Sequence, residues 1–329
     1  MKSIIYIVCY FGQLPDSFQT WLHTCKYNST VNWLIVTNDQ TPYAYPPNVS
    51  VEYISFPDFK QKIQSLFDFP ICLAEPYDLC DFKVAYGEIF KTEIEQYDFW
   101  GYCDLDMLWG NIRNFLTDEI LTQYDKIGFQ GHSTLFRNSV QNNTMYRKPI
   151  GDKFPYIEAF TSKGNVFFDE SGISDIYRYY NIPIYTKTIF ANISPLTWSF
   201  YIRYKPQDED NKNKHQIFTW DRGKLNRLYI ENDEIMQEEY MYIHFLRRKM
   251  DYQFTDGDCA VIYPNKVIPL SKKVTLDFIM KHSKNNMALY YLDLIKRKRN
   301  KINLRNVLNY FYYRIKAIKK KHTDNETIM

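Results

Sequence analysis

Residues 97–111 read Tyr-Asp-Phe-Trp-Gly-Tyr-Cys-Asp-Leu-Asp-Met-Leu-Trp-Gly-Asn. An apolar run of strand length over 98–104 ends in Asp104-Leu105-Asp106, and Gly110 turns the chain away. Working back from this string, strand-like and helix-like segments alternate. Residues 3–10 form a continuous apolar run, closed by Phe11-Gly12-Gln13-Leu14-Pro15. Over 16–27, Phe18, Trp21, Leu22 and Cys25 recur at helical spacing. A second apolar run covers 31–37 and ends at Asn38-Asp39, and a third covers 49–54. Segments 58–67 and 78–97 read as helices. Strand, helix and strand at this spacing predict βαβ crossovers and a mostly parallel sheet, an α/β fold. Ligands of such sheets sit beyond the carboxyl ends of the strands. Residues 10–12, 38–39 and 104–106 are therefore expected at one rim.

Downstream, 110–195 is rich in loop residues, with a short helix expected over 175–180. Segments 216–220 and 225–230 alternate around Asp221-Arg222-Gly223-Lys224, a hairpin signal. Residues 234–240 read as a short acidic helix, 241–245 as a strand, and 274–321 as predominantly helical.

The 329 residues are 45% apolar and 24% charged, enough to build a large core and to exclude wholesale disorder. The 11 glycines and 14 prolines exclude a collagen-like chain. The longest strongly apolar stretch, 4–11, falls far short of the roughly 20 residues that span a bilayer. No secretory leader is recognisable, so a cytoplasmic location is expected. The six cysteines form no Cys-x-x-Cys pair and read as reduced, mostly buried thiols. Charge is unevenly spread. Residues 281–329 carry 13 Lys+Arg against 3 Asp+Glu, whereas the rest carries 28 against 35. A mildly acidic body thus precedes a strongly basic tail.

Two carboxylates at i and i+2 just past a strand can converge on one divalent ion where the strand relaxes. Ligation by oxygen suits Mg²⁺ or Mn²⁺, which also take phosphate oxygens. The structural alternative is an acidic pair that only caps a turn.

An apolar fourth strand ending in Asp-x-Asp resembles the signature of GT-A-fold glycosyltransferases. Two further strings carry the resemblance. Leu79-Cys-Asp81-Phe-Lys83-Val-Ala-Tyr-Gly87 is similar to the sugar-transferase pattern in which an Asp and a basic residue precede Asp-x-Asp by about one helix. Tyr242-Ile-His244-Phe-Leu-Arg247-Arg248-Lys249 is similar to the region of the C-terminal metal-binding His of retaining GT-A enzymes. The chain differs from the pattern in that Asp81 and Lys83 stand two apart and no Gly-Gly precedes the Asp-x-Asp strand. As a whole, residues 1–250 resemble glycosyltransferase-like proteins of bacterial capsule and exopolysaccharide loci.

The resemblance implies a GT-A-like (Rossmann-like) catalytic domain over 1–250, with a nucleotide-sugar half to about residue 110 and an acceptor half over 111–250. A helical, basic extension over 251–329 would follow. Asp106 would bind Mn²⁺ or Mg²⁺ directly, Asp104 the metal or the donor ribose, and His244 would complete the ligands as a neutral imidazole. Arg247, Arg248 and Lys249 would neutralise a leaving nucleoside diphosphate. Asp81 and Lys83 would contact the donor sugar or its phosphates. Tyr10, Phe11, Gly12, Asn38 and Asp39 would hold base and ribose. Asp169 and Glu170, in Phe167-Phe-Asp-Glu-Ser-Gly172, are the candidate catalytic carboxylates of the acceptor side, or else caps for the helix around Asp175.

The expected activity is hexose transfer from a nucleotide sugar, most simply UDP-linked, to a glycan or lipid-linked acceptor. A nucleotidyltransferase would show a Gly-rich phosphate loop near the first strand, where 10–15 offer a single glycine. A non-catalytic carbohydrate-binding or scaffold protein is the remaining alternative. The tail sets Ile302, Leu304, Val307, Leu308, Phe311, Tyr312 and Ile315 among Arg305, Arg314, Lys316 and Lys319–Lys321. Such a helix can lie on an anionic membrane surface or pack on the domain with its basic face in solvent. No nucleic-acid motif accompanies the charge.

Overall fold

The computed structural model describes residues 1–195, 197–205, 211 and 214–284, within a compact unit that runs from Met1 to Lys284. The helix expected in the basic tail lies outside the described residues.

Among the described residues the fold is mixed α/β, built on three sheets. Strands β1 (Ile4–Tyr10), β2 (Val31–Thr37), β3 (Val49–Tyr53) and β4 (Phe99–Cys103) pair in parallel in the order β3-β2-β1-β4. Helices α1 (Phe18–Lys26) and α2 (Phe56–Gln64) lie in their connections. β1, β2 and β4 are apolar at nearly every position because both faces are covered. Ile4, Tyr6, Val8, Trp33 and Phe99 enter one core, while Ile5, Ile7, Leu34, Trp100 and Tyr102 enter another. That division follows from the two-residue period of a strand. α1 buries Phe18, Trp21, Leu22 and Cys25, the stripe its spacing predicts. α2 begins at Ser55, whose hydroxyl accepts the Asp58 N–H, and it buries Phe59 and Ile63.

Beyond β4 the sheets become mixed. β5 (Met107–Trp109) follows the Asp-x-Asp turn and leaves the first sheet. β6 (Lys126–Gln130) and β7 (Ser133–Arg137) form a hairpin whose second strand runs antiparallel to β4, and β8 (Ile184–Tyr185) closes the far edge. β9 (Ala191–Ile193) and β10 (Ile202–Arg203) begin a second sheet. β11 (Gln216–Asp221), β12 (Lys224–Glu231) and β13 (Glu234–Tyr240) form an antiparallel meander in the third. β14 (Tyr242–His244) then pairs with β9 in parallel and with β5 in antiparallel register, Met107 opposite His244. β15 (Asp251–Tyr252), β16 (Cys259–Tyr263) and β17 (Lys266–Pro269) complete the third sheet through the β11–β16 pairing.

Three expectations are corrected. Residues 234–240 are a strand, not an acidic helix. Asn232 and Asp233 both adopt positive φ, 51° and 59°, which makes a tight hairpin turn, and the ladder to β12 overrides helix propensity. Residues 78–97 are not one helix but a succession of short turns, with α3 (Leu79–Phe82) and α4 (Tyr86–Ile89) separated by a 3-10 turn. Leu79, Asp81, Phe82, Val84, Ala85, Tyr86, Gly87 and Ile89 are all buried there. Finally, 251–284 contributes three strands before the helix Leu276–His282. Among the described residues no helix is long and apolar enough to cross a membrane.

Gly101 marks the closest approach within the first sheet. A Cβ there would stand 2.2 Å from the Thr134 carbonyl oxygen and 2.6 Å from Leu135 Cδ2. Gly101→Ala is expected to force β4 and β7 apart and to cost about 3 kcal/mol, read as a lowered urea midpoint. An unchanged midpoint would show that the strands yield without penalty.

Candidate functional site

Because β1, β2 and β4 are parallel and in register, their carboxyl ends share one edge. Asn38 bridges two of them: its Oδ1 accepts the Gly12 N–H at 2.7 Å, where Gly12 stands at φ 99°. Asp39 accepts from the Leu14 N–H at 2.8 Å and from Thr41, and these bonds hold its carboxyl below the usual range. Tyr10 is 36% exposed at this rim. Phe11 is not at the rim: its ring is buried against Phe56 and Phe59, because the residue after β1 alternates inward.

Asp104 and Asp106 stand at the other end of this rim. The β5–β14 ladder continues one step further, with the Phe245 N–H on the Asp106 carbonyl at 2.8 Å, and so brings His244 across to the acids. His244 Nε2 lies 3.1 Å from Asp106 Oδ1 and 3.9 Å from Asp104 Oδ2. One ligand atom from each of the three residues falls within 4.8 Å of the others. His244 Nδ1 is 3.0 Å from Asn192 Oδ1, an acceptor that suits an Nδ1–H donor, and its Nε2 faces the two carboxylates. Two carboxylate oxygens and one imidazole nitrogen fit a divalent ion. The other Asp106 oxygen, Oδ2, accepts the Arg247 N–H at 2.6 Å. Burial works against the Asp106 charge, but His244 and this N–H more than offset it and hold the carboxyl at about 2.

Lys83 projects from the turn after α3 into the same cluster. Its ammonium donates to Asp104 Oδ1 at 2.8 Å and to the Gly131 carbonyl at 2.9 Å, and lies 3.5 Å from Asp169 Oδ2. Burial alone would lower it, but Asp104 and Asp169 hold it well above its ordinary value. Asp169 lies in a π-helical turn, Phe168–Gly172, entered through Phe167 at φ 62°. It is buried, and burial raises its carboxyl to about 8 even with Lys83 nearby. Burial prevails because the ammonium sits closer to Asp104. Glu170 is half-buried, also raised by burial, and accepts the Gly131 N–H. A Cβ at 131 would stand 2.3 Å from Asp169 Oδ2, so a larger residue there would displace that carboxyl.

The remaining expected site residues separate. Asp81 is buried, and its carboxylate accepts the Val166 and Phe168 N–H groups at 2.8 and 2.7 Å. It therefore builds the loop that carries Asp169 and does not reach toward the rim. Arg248 is a correction: its guanidinium is buried over Phe200 and donates to the carbonyls of Pro264 and Ser194 at 2.7 and 3.0 Å. Leu246 and Arg247 both adopt positive φ, 49° and 60°, and that turn sends alternate side chains inward and outward. Arg247 stays at the surface, where it bonds to the Tyr77 hydroxyl and lies over its ring at 4.8 Å. Lys249 is exposed.

Four residues of the cluster escaped the sequence reading: Tyr77, Gly131, His132 and Asn192. Gly131-His132 carried a weak signal, a glycine between two strand-like runs. The others are single polar residues, Tyr77 in a 3-10 turn and Asn192 within β9, recognisable only once the strands are paired.

Residues 6–271 match a family described as "Family of unknown function (DUF6625)". No curated protein matches the chain. Among solved structures, mouse xyloside xylosyltransferase 1 in its apo form is similar over 59% of this chain and 87% of that one, at 8% identity and a TM-score of 0.33.

An acid whose folded pKa lies above its unfolded value, about 3.9 for Asp, binds an extra proton in the folded state between the two. For Asp169, with a folded value of about 8, stability therefore falls as pH rises through this window. Asp169→Asn cannot ionise. Its stability relative to the native chain is expected to be higher at pH 8 than at pH 5 by at least about 1.4 kcal/mol, the equivalent of one pKa unit. Equal differences at both pH values, from urea unfolding, would mean that Asp169 is ionised throughout.

Proposed function

Because this chain belongs to the DUF6625 family, whose function is unknown, we propose its activity from the site itself. It is a divalent-cation-dependent glycosyltransferase that moves a hexose from a nucleotide sugar, most simply a UDP-sugar, to a glycan or lipid-linked acceptor. The observation that carries this reading is the convergence of Asp104, Asp106 and His244 at the carboxyl-end rim of a parallel β1-β2-β4 sheet. That rim is where a nucleotide is held in α/β sheets, and the three side chains are the ligand set that Mn²⁺ or Mg²⁺ takes beside phosphate oxygens.

In this reading Asp104, Asp106 and His244 hold the ion, which supplies positive charge to the departing diphosphate. Tyr10, Gly12 and Asn38 face the base and ribose. Arg247 adds a cation at the rim, close to where its own N–H meets Asp106. Lys83 keeps Asp104 turned so that one oxygen is taken and the other faces His244. Transfer breaks the bond between the sugar C1 and the diphosphate oxygen, forms one from C1 to the acceptor oxygen, and releases the acceptor proton. Glu170, half-buried and raised by burial, is the carboxylate we assign to receive that proton, with Asp169 beneath it. A raised carboxyl suits a general base working near neutral pH. Synthesis of capsule or exopolysaccharide is the setting we propose, with the basic segment 281–329 drawing the enzyme to an anionic membrane surface.

The test is calorimetric titration of UDP in Mn²⁺ and in EDTA. Binding that requires Mn²⁺ is expected, with Asp106→Asn weakening it at least about tenfold while the thermal midpoint in EDTA shows the variant folded. Metal-independent binding, or none with UDP, GDP and TDP alike, would sink the reading.

A further inference from the structure

Beyond the residues already given roles, one residue touches both arms of the cation site, one through its backbone and the other through its ring. His132 occupies the turn between β6 and β7 and is 4% exposed. Its carbonyl accepts the Asp104 N–H at 3.0 Å, which fixes where the acidic turn leaves β4. Its imidazole stacks on that of His244, with ring centroids 4.2 Å apart and planes inclined by 29°. Its Nδ1 lies 3.0 Å from the Tyr242 hydroxyl. Tyr242 and His244 are two apart on β14, so their side chains leave the same face of the strand. The His132 ring lies across both. Phe190 packs edge-on against His132 at 4.9 Å and stacks on Tyr242 at 5.3 Å, closing the remaining side. The other His132 nitrogen, Nε2, is buried with no hydrogen-bond partner, so the ring is held by one polar contact and by its faces.

We propose that His132 is a positioning residue for the divalent-cation site, setting the Asp-x-Asp turn through its backbone and the plane of His244 through its ring. The inference rests on the cation-binding reading above. Two constraints act on His244 at right angles. Asn192 holds Nδ1 and fixes rotation within the ring plane, and the His132 face blocks rotation out of it. His244 Nε2 is thereby aimed at Asp104 and Asp106 before an ion arrives, and no ring motion has to be frozen on binding. Stacking supplies this without placing a competing donor or a charge among the ligands. The Tyr242 hydroxyl in turn keeps the His132 ring from sliding off His244. The aromatic group and its hydroxyl anchor thus act through His244 and touch neither ion nor substrate.

Mn²⁺ titrated by calorimetry into the full chain, with Co²⁺ as a spectroscopic probe of ligand geometry, tests the role without measuring turnover. His132→Ala is expected to weaken Mn²⁺ about tenfold and to shift the Co²⁺ visible bands. His132→Phe, which keeps an aromatic face under His244, is expected to recover most of the affinity. Tyr242→Phe, which removes a single hydroxyl and keeps the ring, is expected to weaken Mn²⁺ severalfold and serves where the His132 variants do not fold, as judged by thermal unfolding in EDTA. Native affinity and an unchanged Co²⁺ spectrum in His132→Ala, or in Tyr242→Phe in its stead, would overturn the positioning role. So would His132→Phe binding no better than His132→Ala. A native chain that binds no Mn²⁺ would instead remove the cation reading itself, and this inference with it.

Discussion

The short antiparallel ladder between Met107–Trp109 and Tyr242–His244 is the contact on which the candidate site depends. It joins residues 138 apart in sequence at the Asp106–His244 contact, so its loop-closure entropy must be offset by burial elsewhere. The offset comes from both sides. Trp109 and Tyr242 bury their rings against each other and against the core of the first sheet, while Leu108 and Ile243 enter the core of the third. The ladder is therefore a seam where two cores meet. A three-residue pairing is weak alone, but here every side chain on it is buried. The ligand geometry inherits the rigidity of that packing.

The same seam explains the electrostatics. Half-buried carboxylates beside a buried imidazole are costly unless each has a defined partner. Asp106 has the Arg247 N–H and His244, Asp104 has Lys83, and His244 has Asn192. Asp169 is the exception: burial raises its carboxyl even though the Lys83 ammonium lies 3.5 Å away.

Much of the first half was legible because β1, β2 and β4 are buried on both faces and announce themselves as unbroken apolar runs. Asp104 and Asp106 were legible because their pattern is local, two acids at the end of such a run. What could not be read was anything decided by distant partners. Segment 234–240 carries helix-favouring glutamates, and only the β12 ladder makes it a strand. Segment 78–97 looked like a helix because it is rich in apolar residues, but it is buried on several sides and breaks into turns. Arg247 and Arg248 are chemically identical in sequence, and the left-handed turn alone sends one to the rim and the other into the interior. His132 and Asn192 matter through which ring or nitrogen they meet, and no spacing encodes that.

The left-handed turn has a consequence for how such a site can diverge. Residue 247 meets Asp106 through its peptide N–H, a group that every amino acid except proline supplies. The anchor of the carboxylate is thus independent of side-chain identity, while the guanidinium beside Tyr77 forms part of the outer wall. Substitutions at 247 can redraw the shape and charge met by an incoming molecule while the inner carboxylate keeps its partner. The fold separates what is invariant in the chemistry from what is adjustable in recognition, and does so within one residue.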